Sequence, residues 1–273
     1  MMGNPKRKID TLSLAIDEDH PQFVNAIGRA AAILRCFEHG DRRLGNRDLA
    51  LQTGLPKATV SRLTYTLAAL GFLSYSEKHE NYALGTSVLS LAHAYMRGND
   101  VLSVARPLMR ELAEHTRSAV MLGEADRGRM VLLEIAQGDP MFEMKLAAGA
   151  RVPHGSTALG RADLAGRPPE VFERLMVELE RECEPGYWPR LRSGIVRARQ
   201  DYEHHGFCFS MGDWNPDVFA IGVPMASADG SRVLAFNCSG RVSVMTREKI
   251  IDDFGPRLVA LRDKVLEITE GRF

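Results

Sequence analysis

The segment from Leu44 to Leu84 constrains the fold more than any other part of the chain. Two apolar patterns at helical spacing flank Thr53-Gly54, and glycine readily adopts the left-handed backbone that a tight turn between helices requires. The second helical pattern covers residues 57–70, and a β-hairpin pattern with a charged tip follows over residues 72–84. This order of helix, turn, helix and hairpin predicts a winged helix-turn-helix, with the hairpin as the wing.

The second helix of such a motif enters the major groove of DNA with its N-terminus first. Its predicted inward face is apolar and consists of Val60, Leu63, Leu67 and Leu70. The residues predicted to face DNA are Lys57, Ala58, Thr59, Ser61, Arg62 and Tyr65. Arg47 beside the turn and Lys78 at the hairpin tip are candidates for phosphate contacts. The alternative is a module of this shape that packs only against protein.

The net charge supports DNA binding only when the two predicted domains are counted separately. The whole chain has 35 Lys and Arg against 35 Asp and Glu, a net charge of zero. Up to Arg97 there are 12 basic residues against 9 acidic ones, and the remainder has 23 against 26. The basic excess of the first part is small. The location of basic residues beside the turn and on the second helix is therefore stronger evidence for DNA binding than the net charge.

Composition narrows the class of protein further. The longest apolar run, Val218 to Ala226, is about half the length of a membrane span. The four cysteines show no metal-binding spacing, so we expect reduced thiols, no metal and no cofactor. The sequence therefore predicts a soluble cytoplasmic protein without a membrane partner.

Turn-forming residues predict the domain boundaries. Residues 1–20 lack sustained periodicity and are predicted to be a flexible tail. The winged helix-turn-helix is assigned to residues 21–85 and a linker helix to residues 86–100, where Gly98-Asn99-Asp100 ends the helical pattern. Residues 101–273 form the second domain.

The second domain alternates strand patterns with covering helices. Hairpin strands are predicted over residues 119–125 and 130–137, a third strand over Phe142 to Leu146, and three more after Gly206. A helix is predicted to follow Ser156 and to run to Ala165, and a closing helix is predicted from Arg247 to Ile268. This pattern favours an α+β domain with one antiparallel sheet.

Two features of the second domain are candidates for ligand binding. Residues 155–161 place small residues and Thr157 at the start of a helix, where exposed amides suit a carboxylate. In the last strand, alternation predicts that Asn237 and Ser239 point to one face. Close packing and capping of a strand end explain these residues equally well.

Five segments resemble the IclR (isocitrate lyase regulator) family of bacterial transcription regulators: FVNAIGRAAAILRCF, LALQTGLPKATVSRLTYTLAALGFL, YALGTSVLSLAHAY, PHGSTALGRADLA and GFCFSMGDWNPDVFAIGVPM. The resemblance covers roughly residues 23–268. It implies a winged helix-turn-helix, a linker helix and a GAF-like effector-binding domain. It also implies homodimers or homotetramers that bind palindromic operators in double-stranded DNA.

The resemblance also implies an effector pocket in the second domain. Its expected residues are Thr157, Ala158, Leu159, Ser210, Met211, Ala220, Asn237 and Ser239. Phe209, Met211 and Trp214 make its entrance apolar, which favours an aromatic or otherwise bulky organic acid over a two- or three-carbon keto acid.

The sequence thus predicts a ligand-responsive DNA-binding transcription regulator that is not an enzyme. Two alternatives stay open. One is a small-molecule enzyme with an accessory winged helix, which would consume its ligand. The other is an architectural protein whose second domain only oligomerises, which would bind no organic acid.

Overall fold

The computed structural model describes residues 18–39, 43–139 and 146–273. The chain divides into two compact units, with the boundary between Gly98 and Asn99. We describe each unit by itself.

The N-terminal unit combines a three-helix core with a two-stranded hairpin. In chain order its elements are α1 (Asn25–Arg35), a 3-10 turn (Cys36–His39), α2 (Asn46–Thr53), α3 (Lys57–Ala69), β1 (Leu73–Ser76), β2 (Asn81–Leu84) and α4 (Thr86–Arg97). The strands pair in antiparallel register, with Leu73 opposite Leu84 and Ser76 opposite Asn81. The predicted helix-turn-helix and wing are confirmed.

The core of this unit is built from one face of each helix and the base of the hairpin. Its buried residues include Ile33, Leu49, Val60, Leu67, Leu73 and Tyr82. Thr64 is also fully buried in α3, where its hydroxyl donates to the Val60 carbonyl at 3.0 Å. Leu70 was expected to face inward but is exposed, because α3 ends at Ala69 and Leu70 lies just beyond its last turn.

Gly54 ends α2 in the left-handed conformation, with φ +69°. Because a Cβ disfavours this backbone, Gly54→Ala should lower the stability of the N-terminal unit by about 1 kcal/mol. Gly98→Ala is the matched control, since Gly98 caps α4 at φ −77° and a Cβ there would make only ordinary contacts with the carbonyls of Ala94 and Tyr95. Hydrogen exchange of the α3 amides measures the effect, and equal protection in both variants would contradict it.

The C-terminal unit is a six-stranded antiparallel sheet covered by helices. Its elements are α5 (Asp100–Thr116), β3 (Ala119–Asp126), β4 (Arg129–Gln137), β5 (Arg151–Pro153), α6 (Ala158–Ala165), α7 (Pro169–Glu182), α8 (Trp188–His205), β6 (Cys208–Met211), β7 (Val218–Ala226), β8 (Val233–Arg241), α9 (Arg247–Lys249), a π-helical turn (Ile250–Phe254) and α10 (Gly255–Thr269). The strand order is β5-β4-β3-β8-β7-β6, and the predicted α+β fold is confirmed.

Helices cover both faces of this sheet. Helix α6 packs on one face against β7 and β8, and α8 packs against α6. On the other face, the Cys238 thiol lies 3.6 Å from the Thr116 hydroxyl at the end of α5, and α10 packs against α5. Residues 237 and 239 of β8 therefore face α6, whereas residue 238 faces α5.

The structure differs from the sequence predictions at three places in this unit. The short edge strand β5 was not predicted. Of the predicted strand Phe142–Leu146, residues 142–145 lie outside the described residues, and Leu146 is not in a strand. The predicted closing helix is interrupted by the π-helical turn at Ile250–Phe254.

Candidate DNA-binding surface and effector pocket

The outward face of α3 carries the residues predicted to contact DNA. The side chains of Lys57, Ala58, Ser61, Arg62 and Tyr65 are exposed, and Thr59 is half-buried. Tyr65 leaves 75% of its surface exposed, which is unusual for an aromatic residue on a core helix. The positions repeat at intervals of three and four residues, so they form one stripe along the helix.

Arg47 and Lys78 flank this stripe in sequence and are both exposed. Arg47 lies in the first turn of α2, and Lys78 lies in the turn that joins β1 to β2. The amide of Gly45 donates to the Asp48 carboxylate at 2.9 Å, which fixes the start of α2. The N-terminal unit therefore presents basic side chains from α2, α3 and the wing.

In the C-terminal unit, a small, partly open cavity lies between the sheet and the start of α6. Its lining consists of Met121, Leu146, Val152, Thr157, Ala158, Leu159, Ser210, Trp214, Val218, Ala220, Asn237 and Ser239. Seven of the eight expected effector residues therefore surround one cavity. Its apolar walls and few polar groups are typical of a site for a small organic molecule.

Met211 is the expected residue that the lining leaves out. Side chains alternate along β6, so Ser210 points to the cavity side and Met211 points away from it. Conversely, sequence reasoning missed Met121, Leu146, Val152 and Val218. Met121 pairs with Asn237 across β3 and β8, a register that no local sequence pattern reveals.

Hydrogen bonds fix the start of α6 beside the cavity. The Thr157 hydroxyl donates to the Pro153 carbonyl at 2.7 Å and accepts from the Gly160 amide at 3.1 Å. Among the described residues, the structure gives no partner to the backbone N–H groups of Ala158 and Leu159. These two amides are therefore free to donate to a ligand, and the helix dipole favours an anion there.

Comparison with known proteins identifies the architecture. The sequence profile of the IclR helix-turn-helix domain matches residues 26–77, and that of the bacterial transcriptional regulator IclR C-terminal domain matches residues 93–267. The chain belongs to the IclR family. Proteins of this family are DNA-binding transcription regulators with a C-terminal effector domain, and they are not enzymes.

Individual IclR relatives support the assignment along nearly the whole chain. A crystal structure of an IclR family transcriptional regulator from Brucella abortus is 37% identical, covers 96% of this chain and 99% of that one, and has a TM-score of 0.84. The HTH-type transcriptional regulator TsaQ1/TsaQ2 of Comamonas testosteroni is 32% identical over 89% of this chain and 87% of that protein. An IclR homologue from Microbacterium hydrocarbonoxydans, complexed with 4-hydroxybenzoate, shares the fold at 19% identity, with 89% and 98% coverage and a TM-score of 0.68.

In this IclR chain, Arg161 ties the start of α6 to the loop that carries Trp214. Its guanidinium donates to the carbonyls of Gly155 and Phe209 at 3.1 and 3.0 Å, and to the Asp213 carboxylate at 2.7 Å. Arg161 is buried, so these bonds replace its hydration. The ion pair fixes Asp213, and the next residue in the chain, Trp214, lines the cavity.

A second buried cluster consists of His154, Asp163 and Arg167 and connects α6 to the turn that precedes it. Asp163 accepts from Arg167 at 2.6 Å, and its other oxygen lies 2.8 Å from Nε2 of His154. Burial alone would raise the pKa of Asp163, but the hydrogen bond and charge of His154, together with Arg167, outweigh it and hold that pKa below its usual range. An ionised Asp163 therefore anchors His154, the residue directly before the Gly155–Thr157 turn.

Three further observations on this IclR chain concern metal ligands, the hydropathy of its helices and its cysteine thiols. Among the residues that the structure describes, no group of three His, Cys, Asp or Glu residues is placed to hold a metal ion. No helix among those residues is long and apolar enough to cross a membrane. Burial raises the pKa of the Cys208 and Cys238 thiols to about 12, so both stay protonated at neutral pH.

Proposed function

We propose that this IclR-family regulator binds its operator with an affinity set by a small organic acid in the cavity beside α6. The observation that carries the proposal is the combination of two unpartnered amides at Ala158 and Leu159 with apolar walls such as Met121 and Trp214. Amides at a helix start favour a carboxylate, and apolar walls favour a bulky or aromatic body. The 4-hydroxybenzoate complex of the Microbacterium homologue is consistent with such a ligand.

The DNA contacts that we propose come from the stripe on α3 and its flanks. Arg62, Lys57 and Tyr65 are candidates for base or phosphate contacts, and Ala58, Thr59 and Ser61 line the same face. Arg47 and Lys78 add phosphate contacts from α2 and the wing. Because the DNA that it regulates lies in the bacterial cytoplasm, we place the protein there.

We also propose that the protein acts as a homodimer, or as a dimer of dimers, on a palindromic operator. Helix α4 is twelve residues long and buries none of them within its own unit, although it carries Leu89, Leu91 and Tyr95. An apolar helix face of this kind needs a cover, and the same face of a second copy supplies one. A dimer places two recognition helices about 34 Å apart, one turn of DNA.

Leu89→Glu tests the dimer, because Leu89 is 71% exposed in the isolated chain and its replacement should cost no folding stability. We expect sedimentation to show a several-fold weaker self-association and the operator affinity to fall with it. Leu51→Glu makes the same change at an exposed residue of α2 and is the control for self-association. A dimer that survives Leu89→Glu unchanged would place the interface elsewhere.

Ala220→Leu tests the effector site. Ala220 lies on β7 opposite Ser239 and lines the cavity, so a larger side chain fills the empty space. We expect the variant to bind operator DNA normally but to lose its response to organic acids in a mobility-shift titration. Effectors act only through a difference in affinity between two states, and a tenfold preference corresponds to about 1.4 kcal/mol. An unchanged response would place the effector site elsewhere.

A further inference from the structure

Asn237 is a buried polar residue whose side chain is only partly satisfied. It is 5% exposed and lines the cavity, and its Oδ1 atom has no hydrogen-bond partner among the described residues. A buried acceptor without a donor destabilises a folded protein. Such an atom in a cavity is a site where a bound water or a ligand supplies the missing donor.

The sheet register places Asn237 next to the start of α6. Asn237 on β8 pairs with Gly222 on β7. A Cβ at Gly222 would collide with the backbone carbonyl of Ala158, so the first turn of α6 lies directly against this glycine. Neighbouring strands are only about 4.8 Å apart. The unpartnered amides of Ala158 and Leu159 and the unpartnered oxygen of Asn237 therefore belong to the same end of the cavity.

Charge limits how a ligand is held at this end. The described lining contains Ser, Thr and Asn side chains but no charged one. The Ser210 hydroxyl already donates to the Ser156 carbonyl at 2.9 Å. Among the described residues, the backbone amides at the start of α6 are unpartnered donors for a carboxylate, and they do not supply a donor to the Asn237 oxygen.

We propose that the effector is a 2-hydroxy acid, either an ortho-hydroxy aromatic carboxylate or an aryl-substituted 2-hydroxy acid, and that Asn237 selects it. The proposal rests on the function proposed above. The carboxylate accepts from the amides of Ala158 and Leu159, and the adjacent hydroxyl donates to Oδ1 of Asn237. A para-hydroxyl lies at the opposite side of the ring from the carboxylate and does not reach Asn237 in this pose.

Asn237→Leu removes the acceptor while keeping the size and branching of the side chain. Because it also removes an unsatisfied buried group, we expect its melting temperature without ligand to equal or exceed that of the wild type. A purely structural Asn237 would give the opposite shift. Asn237→Asp keeps the shape but adds a negative charge, and it should weaken binding of every carboxylate.

Calorimetric titration of the full chain with matched pairs of acids measures the selectivity. The pairs are 2-hydroxybenzoate with benzoate, and mandelate with phenylacetate; 4-hydroxybenzoate is the positional control. We expect at least one hydroxy acid to bind at least tenfold more tightly than its partner, a difference of about 1.4 kcal/mol. Asn237→Leu should reduce this ratio to near one by weakening the hydroxy acid.

The inference is overturned if the members of each pair bind equally, if Asn237→Leu keeps the ratio, or if neither 2-hydroxy acid binds. Parallel mobility shifts with operator DNA separate it from the function proposed above. If benzoate or 4-hydroxybenzoate changes operator binding as strongly as 2-hydroxybenzoate does, only the role of Asn237 fails. If none of the five acids binds the wild type or changes its operator binding, both the role of Asn237 and the proposed aromatic-acid effector are contradicted.

Discussion

Replacing Asp163 with Asn should lower the free energy of unfolding of the C-terminal unit by about 3–5 kcal/mol, the usual effect of removing one partner from a buried ion pair. Asp163, His154 and Arg167 are all buried, and Asp163 accepts from Arg167 at 2.6 and 3.3 Å. Asn keeps the size of the side chain but leaves the Arg167 guanidinium without its counter-charge. Both tryptophans, Trp188 and Trp214, belong to this unit, so their fluorescence in urea reports its unfolding.

The effect should depend on pH in a defined direction. The pKa of Asp163 is lowered in the folded state, because His154 and Arg167 outweigh the effect of burial. A group of this kind stabilises the fold above its unfolded pKa, about 3.9, and loses that contribution as the pH falls through the folded value. The difference between the wild type and Asp163→Asn should therefore be constant from about pH 8 to about pH 5 and shrink below about pH 4.

Asp263→Asn is the matched control for this experiment. Asp263 pairs with Arg262 at 2.6 Å, but its side chain is 60% exposed. The same change of charge there should alter stability by less than about 1 kcal/mol. Equal destabilisation by the two variants would show that the buried cluster contributes nothing beyond an ordinary surface pair.

Local sequence signals were enough to predict the helices and the hairpin of the N-terminal unit. Gly54 and the polar tip between β1 and β2 mark tight connections between residues that are near neighbours in the chain. The failures in this unit concern burial. Thr64 takes an inward position because the Val60 carbonyl satisfies its hydroxyl, and a pattern that counts only apolar residues does not detect such a position.

The C-terminal unit was less predictable, because its contacts join distant segments. Strand β5 has three residues, ends in Pro153 and pairs at the edge of the sheet, so it lacks the alternation that marks a strand. The contribution of Met121 to the cavity depends on the register of β3 against β8. The resemblance to the IclR family supplied seven lining residues, whereas the partnerless oxygen of Asn237 became visible only in the structure.

Replacing Arg62 with Ala should weaken operator binding at least thirtyfold. Arg62 lies on the exposed stripe of α3, and loss of one arginine contact to DNA costs about 1–3 kcal/mol. In the proposed dimer the change occurs in both recognition helices, so the loss is about 2 kcal/mol or more. Fluorescence anisotropy with a labelled operator at fixed salt measures it.

Salt dependence distinguishes the kind of contact that Arg62 makes. If it binds phosphate, the slope of log affinity against log salt should decrease by about one for each contact removed, with little change in sequence preference. If it pairs with a base, the slope should change little while discrimination between operator variants relaxes. Arg29→Ala removes the same charge from the exposed surface of α1 and should leave both quantities nearly unchanged. If Arg62→Ala matches this control in affinity, slope and discrimination, the operator is bound by another surface of the N-terminal unit.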